Sequence, residues 1–382
     1  MQKRIRIVSV GIVLVILLIG IIVMNNNSYS KYSFTQDGIK YALTLDGNKV
    51  TSFPSKGMYK AQVTCEGADG RWLYDEWKLA IENITSDDVT CDIKFETITK
   101  TNLNDYIISL LESEQGTGKV VNENGYRYEG KNPNNYIWFN NEYWRIIGVF
   151  DSASHGQSGK NLVKIIRADV LDGLAWYKSN TNDWTTSILK SLLNGAYYNA
   201  QDGTNSGYCI RNTDSATIIS NCNYTKKGIQ DGYRGMIANV TWYLGGYSSF
   251  KTTTDAFYGY ERGTIVYSGR PTSTTGYIGL MYPSDYGYSV LSSSCARTTK
   301  LGSYNTATCA GQSWLYGKGY EWTLTPDSSD SYYVFYLSYD GNLNDSRADN
   351  SYGSRPVLYL DASVYKIDGD GSLENPYIVG MW

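Results

Sequence analysis

The amino-acid sequence predicts a β-rich α+β protein that begins with a transmembrane helix and continues as a small β-sandwich and a larger α+β domain. Three observations support this prediction: an uncharged apolar run near the N-terminus, repeated two-residue alternation of apolar and polar side chains, and one clear stretch of helical periodicity. The expected organisation is 1–24 transmembrane signal-anchor, 25–38 linker, 39–100 small β-sandwich domain, 101–119 helical connector and 120–382 larger domain.

The apolar run from Ile7 to Met24 predicts a membrane-spanning helix. It carries no charge, and its roughly 18 residues would span about 27 Å as a helix, close to the thickness of the hydrocarbon core. Lys3, Arg4 and Arg6 precede the run, and basic residues stay cytoplasmic, so we expect the N-terminus inside and the remaining chain outside the cytoplasm. A cleaved signal peptide is the alternative, although no small-residue cleavage site follows the run. The membrane is therefore an expected partner, through residues 7–24.

Six cysteines, all beyond the apolar run, indicate disulfide bonds. An even number in an exported chain favours pairing, and proximity in sequence suggests three local bridges. The expected pairs are Cys65 with Cys91, Cys209 with Cys222, and Cys295 with Cys309. Free buried thiols are the alternative reading. No C-x-x-C motif occurs, so zinc and redox-motif sites are not expected.

Alternating side chains predict the strands of the small β-sandwich, because one face of each strand is apolar and the other polar. Cys65 and Cys91 fall on the apolar faces, which places their bridge inside the sandwich. A turn at residues 46–48 joins the first two strands. The expected strands are 40–45, 50–53, 59–65, 77–82 and 91–95.

Residues 120–382 read as one β-rich domain with a single clear helix at Thr185–Tyr198, preceded by a helical connector within 101–119. Asp340 and Gly341 predict a two-residue hairpin turn. The expected strands are Tyr136–Phe139, Trp144–Val149, Leu162–Arg167, Tyr277–Met281, Glu321–Leu324, Tyr332–Tyr339 and Pro356–Leu360.

A series of motifs in residues 120–382 resembles one group of exported domains. The motifs are YEGKNPNNYIWFNNEYWRIIGVF, LVKIIRADVL, YIGLMYPSDYGYS, EWTLTP, GSRPVLYLDASV and GSLENPYIV. They resemble the C-type-lectin-like domains of exported Gram-positive bacterial proteins, which are related to the sulfatase-modifying-factor fold. Residues 45–100 resemble the small β-domain that often precedes such domains. The resemblance implies a C-type-lectin-like α+β fold, but such folds carry many unrelated activities.

The residue types give little support to catalysis. The only histidine, His155, lies in the Gly/Ser-rich stretch 152–160, where we expect a surface loop. Neither a phosphate-binding loop nor a dinucleotide motif is present, and we expect no cofactor and no metal. Two enzyme classes stay open: a modifying-factor type, with Cys295 and Cys309 as reactive thiols, and a glycosidase, because 37 acidic residues offer many carboxylate pairs. With net charge −3 and no basic concentration, nucleic acid is not an expected partner.

Tyrosine-rich loops provide the remaining functional hypothesis. Tyr (36) far outnumbers Phe (8), and two segments around 242–260 and 282–290 combine Tyr with Gly, as binding loops do. The alternative is that these rings pack in the core. The candidate ligand-binding residues are Trp242, Tyr243, Tyr247, Tyr258, Tyr282, Asp285, Tyr286 and Tyr288. The expected function is ligand binding or adhesion at the cell surface, toward a glycan or protein; an extracytoplasmic enzyme and a structural subunit of a surface assembly are the alternatives.

Overall fold

Strands supply most of the secondary structure, with 39% of residues in strands and 15% in helices. The computed structural model describes residues 6–8, 34–74, 76–178, 181–212, 217–218, 221–317 and 319–381. The chain divides into two compact units, Met1–Lys100 and Thr101–Trp382, and each has its own hydrophobic core. The β-rich character that the sequence predicts is therefore confirmed.

Two sheets contribute to the core of the first unit. Trp72 from one sheet meets Phe95 from the other with 5.0 Å between ring centroids, and Trp77 lies 5.3 Å from Trp72. Such edge-to-face pairs of buried rings add to the stability that their apolar area provides. The first sheet has the order Phe34–Gln36, Ile39–Leu45, Val89–Thr97 and Tyr59–Glu66, with Asn48–Val50 paired to Ile39–Leu45; the second has the order Arg6–Val8, Lys78–Glu82 and Asp69–Leu73.

The first hairpin of this unit begins earlier than the sequence suggested. Strand Phe34–Gln36 pairs antiparallel with Ile39–Leu45. Asp37 and Gly38 between them have φ angles of 52° and 79°, the positive values that a tight hairpin turn requires. The structure therefore places residues 34–38, assigned to a linker from the sequence, in this sheet.

Part of the predicted membrane segment lies outside the described residues. Ile7 and Val8, its first two residues, belong to the strand Arg6–Val8, which pairs with Lys78–Glu82 rather than beginning a helix. Residues 9–24 are not among those that the structure describes. Within the described part of the chain, no helix combines the length and the apolar character that a membrane crossing requires.

The structure joins the same three cysteine pairs that sequence proximity suggests. Cys65 and Cys91 face each other directly on neighbouring strands, with 4.1 Å between Cα atoms. The other pairs are Cys209 with Cys222 and Cys295 with Cys309, at Cα separations of 6.0 and 5.2 Å. No cysteine is free. Three disulfides indicate an extracytoplasmic protein, because such bonds persist in oxidising compartments.

A curled sheet of eleven strands forms the frame of the second unit. Its main path runs through Glu114–Gln115, Gly118–Asn122, Tyr126–Gly130, Glu142–Phe150, Tyr136–Phe139, Tyr377–Gly380, Tyr365–Asp368 and Thr101–Asn102. Leu162–Arg167 joins this path through Glu142–Phe150 and continues to Val357–Leu360 and Ile278–Gly279. A second sheet has the order Leu171–Ala175, Ser351–Ser354, Glu321–Pro326, Tyr333–Leu337 and Leu343–Arg347. Two small ribbons pair Ile210–Asn212 with Thr217–Ile218 and Val240–Tyr243 with Ser273–Gly276.

The helices of the second unit are short. The α-helices are Leu103–Ser109, Ser152–His155, Ile188–Leu192, Asp231–Arg234, Thr254–Glu261 and Pro283–Ser289; a π-helix spans Leu193–Tyr197, and 3₁₀ turns span Trp184–Thr186, Leu301–Ser303 and Ala310–Gln312. Leu103 and Ile107 of the first helix lie fully buried in the core of this unit, so residues predicted as a connector contribute to its packing.

Two local predictions differ from the structure. The predicted helix Thr185–Tyr198 is interrupted at Ser187, which is extended (ψ 147°) and whose side chain caps the next segment at Lys190. From Leu193 the helix continues with π-helical hydrogen bonding. The predicted two-residue hairpin is longer: Leu337 pairs with Leu343, which leaves residues 338–342 as the loop. The seven strands predicted in 120–382 each overlap an observed strand.

Candidate functional site

The structure places most of the candidate tyrosines in the core. Trp242, Tyr282, Asp285, Tyr286 and Tyr288 are each at most 1% exposed. Tyr243, Tyr247 and Tyr258 are half-buried. The first five side chains therefore have no surface to offer a ligand, and their placement agrees with the alternative that they are structural.

The segment predicted as a binding loop is a buried helix, Pro283–Ser289. Pro283 at its first position has a suitable fixed φ, and the Asp285 carboxylate accepts a hydrogen bond from the Tyr282 backbone at 2.9 Å. The hydroxyl of Tyr286 donates to the Gly341 carbonyl at 2.7 Å. The Tyr and Gly composition of this segment thus reflects close packing and capping.

Asp285 is the centre of a buried ion-pair network. Its two carboxylate oxygens accept hydrogen bonds from Arg127 at 3.0 Å and from Lys164 at 2.5 Å. Burial acts to raise the pKa of Asp285, but the two cations outweigh burial and lower the pKa to about 2. Burial also lowers the pKa of Lys164 to about 8, against the opposing attraction of Asp285. The network joins the helix to the curled sheet.

A second buried carboxylate, Glu261, lies one helix away. It accepts from the Ser284 backbone at 2.9 Å, from the Ser284 hydroxyl at 2.5 Å and from Arg262 at 3.0 Å. Burial raises the pKa of Glu261 to about 7, although Arg262 and Ser284 oppose this rise. Arg262 in turn stacks 3.6 Å from the ring centroid of Tyr258. These contacts fix the two helices against each other.

The prediction that His155 lies in a surface loop is wrong. Its side chain is fully buried, and it ends the short helix Ser152–His155. Nδ1 accepts a hydrogen bond from the Gln157 backbone at 3.1 Å, so Nε2 carries the proton and donates to the Phe150 carbonyl at 3.1 Å. Burial lowers the pKa of His155 below its ordinary value. A neutral, fully hydrogen-bonded imidazole is a structural element here.

The two cysteines named as candidate reactive thiols are not available as thiols. Cys295 and Cys309 are bonded to each other and nearly buried, so neither presents a thiol. Among the described residues, no group of three or more His, Cys, Asp and Glu side chains has the arrangement that could hold a metal ion.

Two exposed tyrosines lie in contact with two that are more buried. We define the tyrosine cluster as Tyr320, Tyr336, Tyr339 and Tyr352. Tyr320 is 44% exposed and Tyr339 is 60% exposed. The Tyr320 ring is stacked on Tyr352, with 5.2 Å between centroids and 21° between planes, and lies 5.5 Å from Tyr339 and 5.8 Å from Tyr336. Tyr336 is 9% exposed and Tyr352 is half-buried, so Tyr320 and Tyr339 form the exposed part of the cluster.

The second sheet supports this surface from below. Trp322 is fully buried, its ring centroid is 4.5 Å from that of Tyr352, and its indole N–H donates to the Leu174 carbonyl at 2.9 Å. Tyr352 and Tyr336 are themselves in contact, with centroids 4.6 Å apart. Tyr336 and Tyr352 lie in strands of the second sheet, and Tyr320, next to a strand, is stacked on Tyr352.

Polar groups accompany the aromatic rings. The Tyr352 hydroxyl donates to the Ser346 hydroxyl at 3.1 Å, and the Asn350 amide donates to the same oxygen at 2.7 Å. Burial raises the pKa of Tyr336, so its phenol stays protonated at neutral pH. The cluster can thus present apolar ring faces together with neutral hydroxyl donors and acceptors.

Sequence reasoning missed this surface. Tyr336 falls within the predicted strand Tyr332–Tyr339, but Tyr352 lies in a strand that was not predicted, and Tyr320 precedes one. The aromatic residues at 320, 322, 336 and 352 could have indicated a shared face only if the strand order were known.

Comparison with known proteins finds no matching family model, curated protein or solved structure.

Proposed function

We propose that this protein binds a glycan outside the cytoplasm through the tyrosine cluster. The observation that carries the proposal is the contiguous set of four rings, two of which are 44% and 60% exposed. A sugar ring has an apolar C–H face that fits the flat face of tyrosine, and sugar hydroxyls pair with phenols and neighbouring polar side chains. Tyr also has few rotamers to fix on binding.

The size of the surface favours a glycan over a protein partner. The two exposed rings, Tyr320 and Tyr339, have centroids 5.5 Å apart, which suits a short saccharide. A stable protein interface buries roughly 800 Å² on each side, from about 20 to 30 residues. The ring atoms are also neutral, which suits an uncharged saccharide.

We also propose that residues 120–382 form a C-type-lectin-like domain of an exported Gram-positive bacterial protein. We further propose that the apolar run anchors the chain in the cell membrane through its residues 9–24, since Ile7 and Val8 pair in a strand. The sequence motifs support the first proposal, and the basic residues before an uncharged run support the second. Protease added outside intact cells should digest the chain to a short membrane-bound fragment. Full protection of the C-terminal unit would exclude this topology.

A glycan array tests the binding proposal. The full-length protein should bind a defined set of saccharides on the array, and the double variant Tyr320→Ala/Tyr339→Ala should no longer bind them. Tyr208→Ala is the matched control, because Tyr208 is 43% exposed and is not part of the cluster. Loss of binding in the control as well, or unchanged binding in the double variant, would contradict the proposal.

A further inference from the structure

The loop 338–342 carries Tyr339, the most exposed ring of the tyrosine cluster. Two backbone hydrogen bonds close this loop on itself: the Ser338 N–H donates to the Asn342 carbonyl at 2.9 Å, and the Gly341 N–H donates to the Ser338 carbonyl at 3.0 Å. Both bonds lie within the loop, so they do not attach it to any other part of the protein. The position of the Tyr339 ring therefore also depends on contacts from outside the loop.

Two phenols from outside the second sheet hold the loop by its backbone. The hydroxyl of Tyr286, in the buried helix Pro283–Ser289, donates to the Gly341 carbonyl at 2.7 Å. The hydroxyl of Tyr316 donates to the carbonyl of Tyr339 itself. The loop is therefore attached, at two of its carbonyls, to side chains that belong to neither of the strands that it connects.

Both phenols remain hydrogen-bond donors at neutral pH. Burial raises the pKa of Tyr286, and the phenols of Tyr304 and Tyr316 and the carboxylate of Asp340 raise it further. Burial and Asp340 also raise the pKa of Tyr316. Because a backbone carbonyl can only accept, each bond requires a protonated phenol, and this condition is met.

Close packing surrounds the point at which Tyr286 holds the loop. Gly341 is buried with φ +96°, and a Cβ placed on it would overlap the side chain of Ala310. Tyr286 is fully buried, and its ring centroid lies 5.7 Å from that of Tyr304. The hydroxyl of Tyr286 thus connects the loop to an enclosed part of the core.

We propose that Tyr286 and Tyr316 are positioning residues that hold Tyr339 in the orientation in which it binds a glycan. Tyr286 has no exposed surface, so it acts through the loop and does not contact the ligand. If the loop is released, only the fraction of molecules with Tyr339 in place binds, and the apparent Kd rises as that fraction falls. The proposal rests on the glycan-binding role of the tyrosine cluster and adds two residues that lie outside the cluster.

The test compares the full-length protein with the variant Tyr286→Phe/Tyr316→Phe, which keeps both rings and removes only the two hydroxyls. Hydrogen exchange of the 338–342 amides, followed by mass spectrometry without saccharide, should become at least about tenfold faster, since each lost hydrogen bond shifts an equilibrium roughly three- to tenfold. The affinity for the oligosaccharide selected on the glycan array should fall by about three- to tenfold. In the Tyr339→Ala background the same two changes should leave the affinity unaltered, because the ring that they position is absent.

Tyr288→Phe is the matched control. Tyr288 lies in the same helix and is 1% exposed, but its hydroxyl donates to Asp255 and not to the loop. Its loop exchange and its affinity should equal those of the wild type.

Three results would overturn the proposal: unchanged loop exchange in the double variant, faster exchange with unchanged affinity, or an equal loss of affinity in the Tyr339→Ala background. If the wild-type protein binds no saccharide on the array, the proposed function itself is refuted. The exchange measurement still decides in that case whether the two phenols hold the loop, because it requires no saccharide.

Discussion

Replacing Asp285 by Asn should destabilise the second unit strongly. The substitution keeps the size of the side chain but removes the charge that neutralises Arg127 and Lys164, which bind it at 3.0 and 2.5 Å. All three side chains are at most 1% exposed, so water cannot replace the lost interaction. Removing one partner of a buried ion pair costs about 3–5 kcal/mol.

The residual positive charge decides where in this range the cost falls. Burial already lowers the pKa of Lys164 to about 8, and Asp285 opposes this effect. Without the aspartate the pKa of Lys164 should fall further, so the amine can lose its proton near neutral pH and reduce the cost. Arg127 cannot reduce the cost in this way, because a guanidinium does not lose its proton in a protein. We expect about 3 kcal/mol, which lowers the melting temperature by roughly 6–12 °C for a unit of this size.

Urea unfolding followed by tryptophan fluorescence measures the change in the free energy of unfolding. The double variant Asp285→Asn/Lys164→Met should recover part of the loss, because it removes one stranded cation and replaces it with an apolar chain of similar length. A single variant within 1 kcal/mol of the wild type would refute the interpretation that this network holds the helix to the sheet. So would a double variant that is less stable than the single one.

Two further changes have outcomes that follow from the structure. Burial raises the pKa of Glu261 to about 7, above its value in the unfolded chain. The stability that Glu261 contributes is therefore present below about pH 4.5 and is lost as pH rises toward 7, by up to about 1.4 kcal/mol per pH unit. Glu261→Gln should remove this slope in urea unfolding at pH 5, 6 and 7, and an unchanged slope would exclude Glu261 as its source. Gly341 has φ +96° and faces the Ala310 side chain, so Gly341→Ala should lower the free energy of unfolding by more than about 1 kcal/mol. Gly38 has φ +79° and open space around it, so Gly38→Ala should lower it by about 1 kcal/mol or less. Equal losses in thermal unfolding would show that the Ala310 contact does not matter.

Local patterns in the sequence predicted the strands better than they predicted which segments are buried. Leu162–Arg167 and Tyr136–Phe139 were predicted with the bounds that the structure shows, because runs of β-branched, aromatic and other apolar side chains favour strands. The same patterns could not show that residues 283–289 are enclosed by other elements. Burial of that helix depends on Arg127, Lys164 and Glu261, which are distant in sequence and compensate its polar groups only in three dimensions.

The position of the exposed surface was equally hidden in the sequence. Tyr320, Tyr336 and Tyr352 come from separate strands or their flanks, and the ring contacts between them depend on the strand order of the second sheet. A count of tyrosines in a short window instead drew attention to 242–260 and 282–290, where buried rings pack and their hydroxyls find partners. Composition alone could not distinguish a tyrosine that supports the core from one that faces solvent.

One paired measurement separates these two roles of tyrosine most directly. Tyr288→Ala removes a ring that is 1% exposed, and Tyr339→Ala removes one that is 60% exposed. For each variant, the melting temperature and the dissociation constant for the glycan selected on the array are measured. Tyr288→Ala should lower the melting temperature by several degrees and leave the affinity of the protein that remains folded unchanged, whereas Tyr339→Ala should keep the melting temperature and weaken the affinity at least tenfold. The reverse pattern would place the binding site in the 282–290 segment and contradict the assignment of the tyrosine cluster.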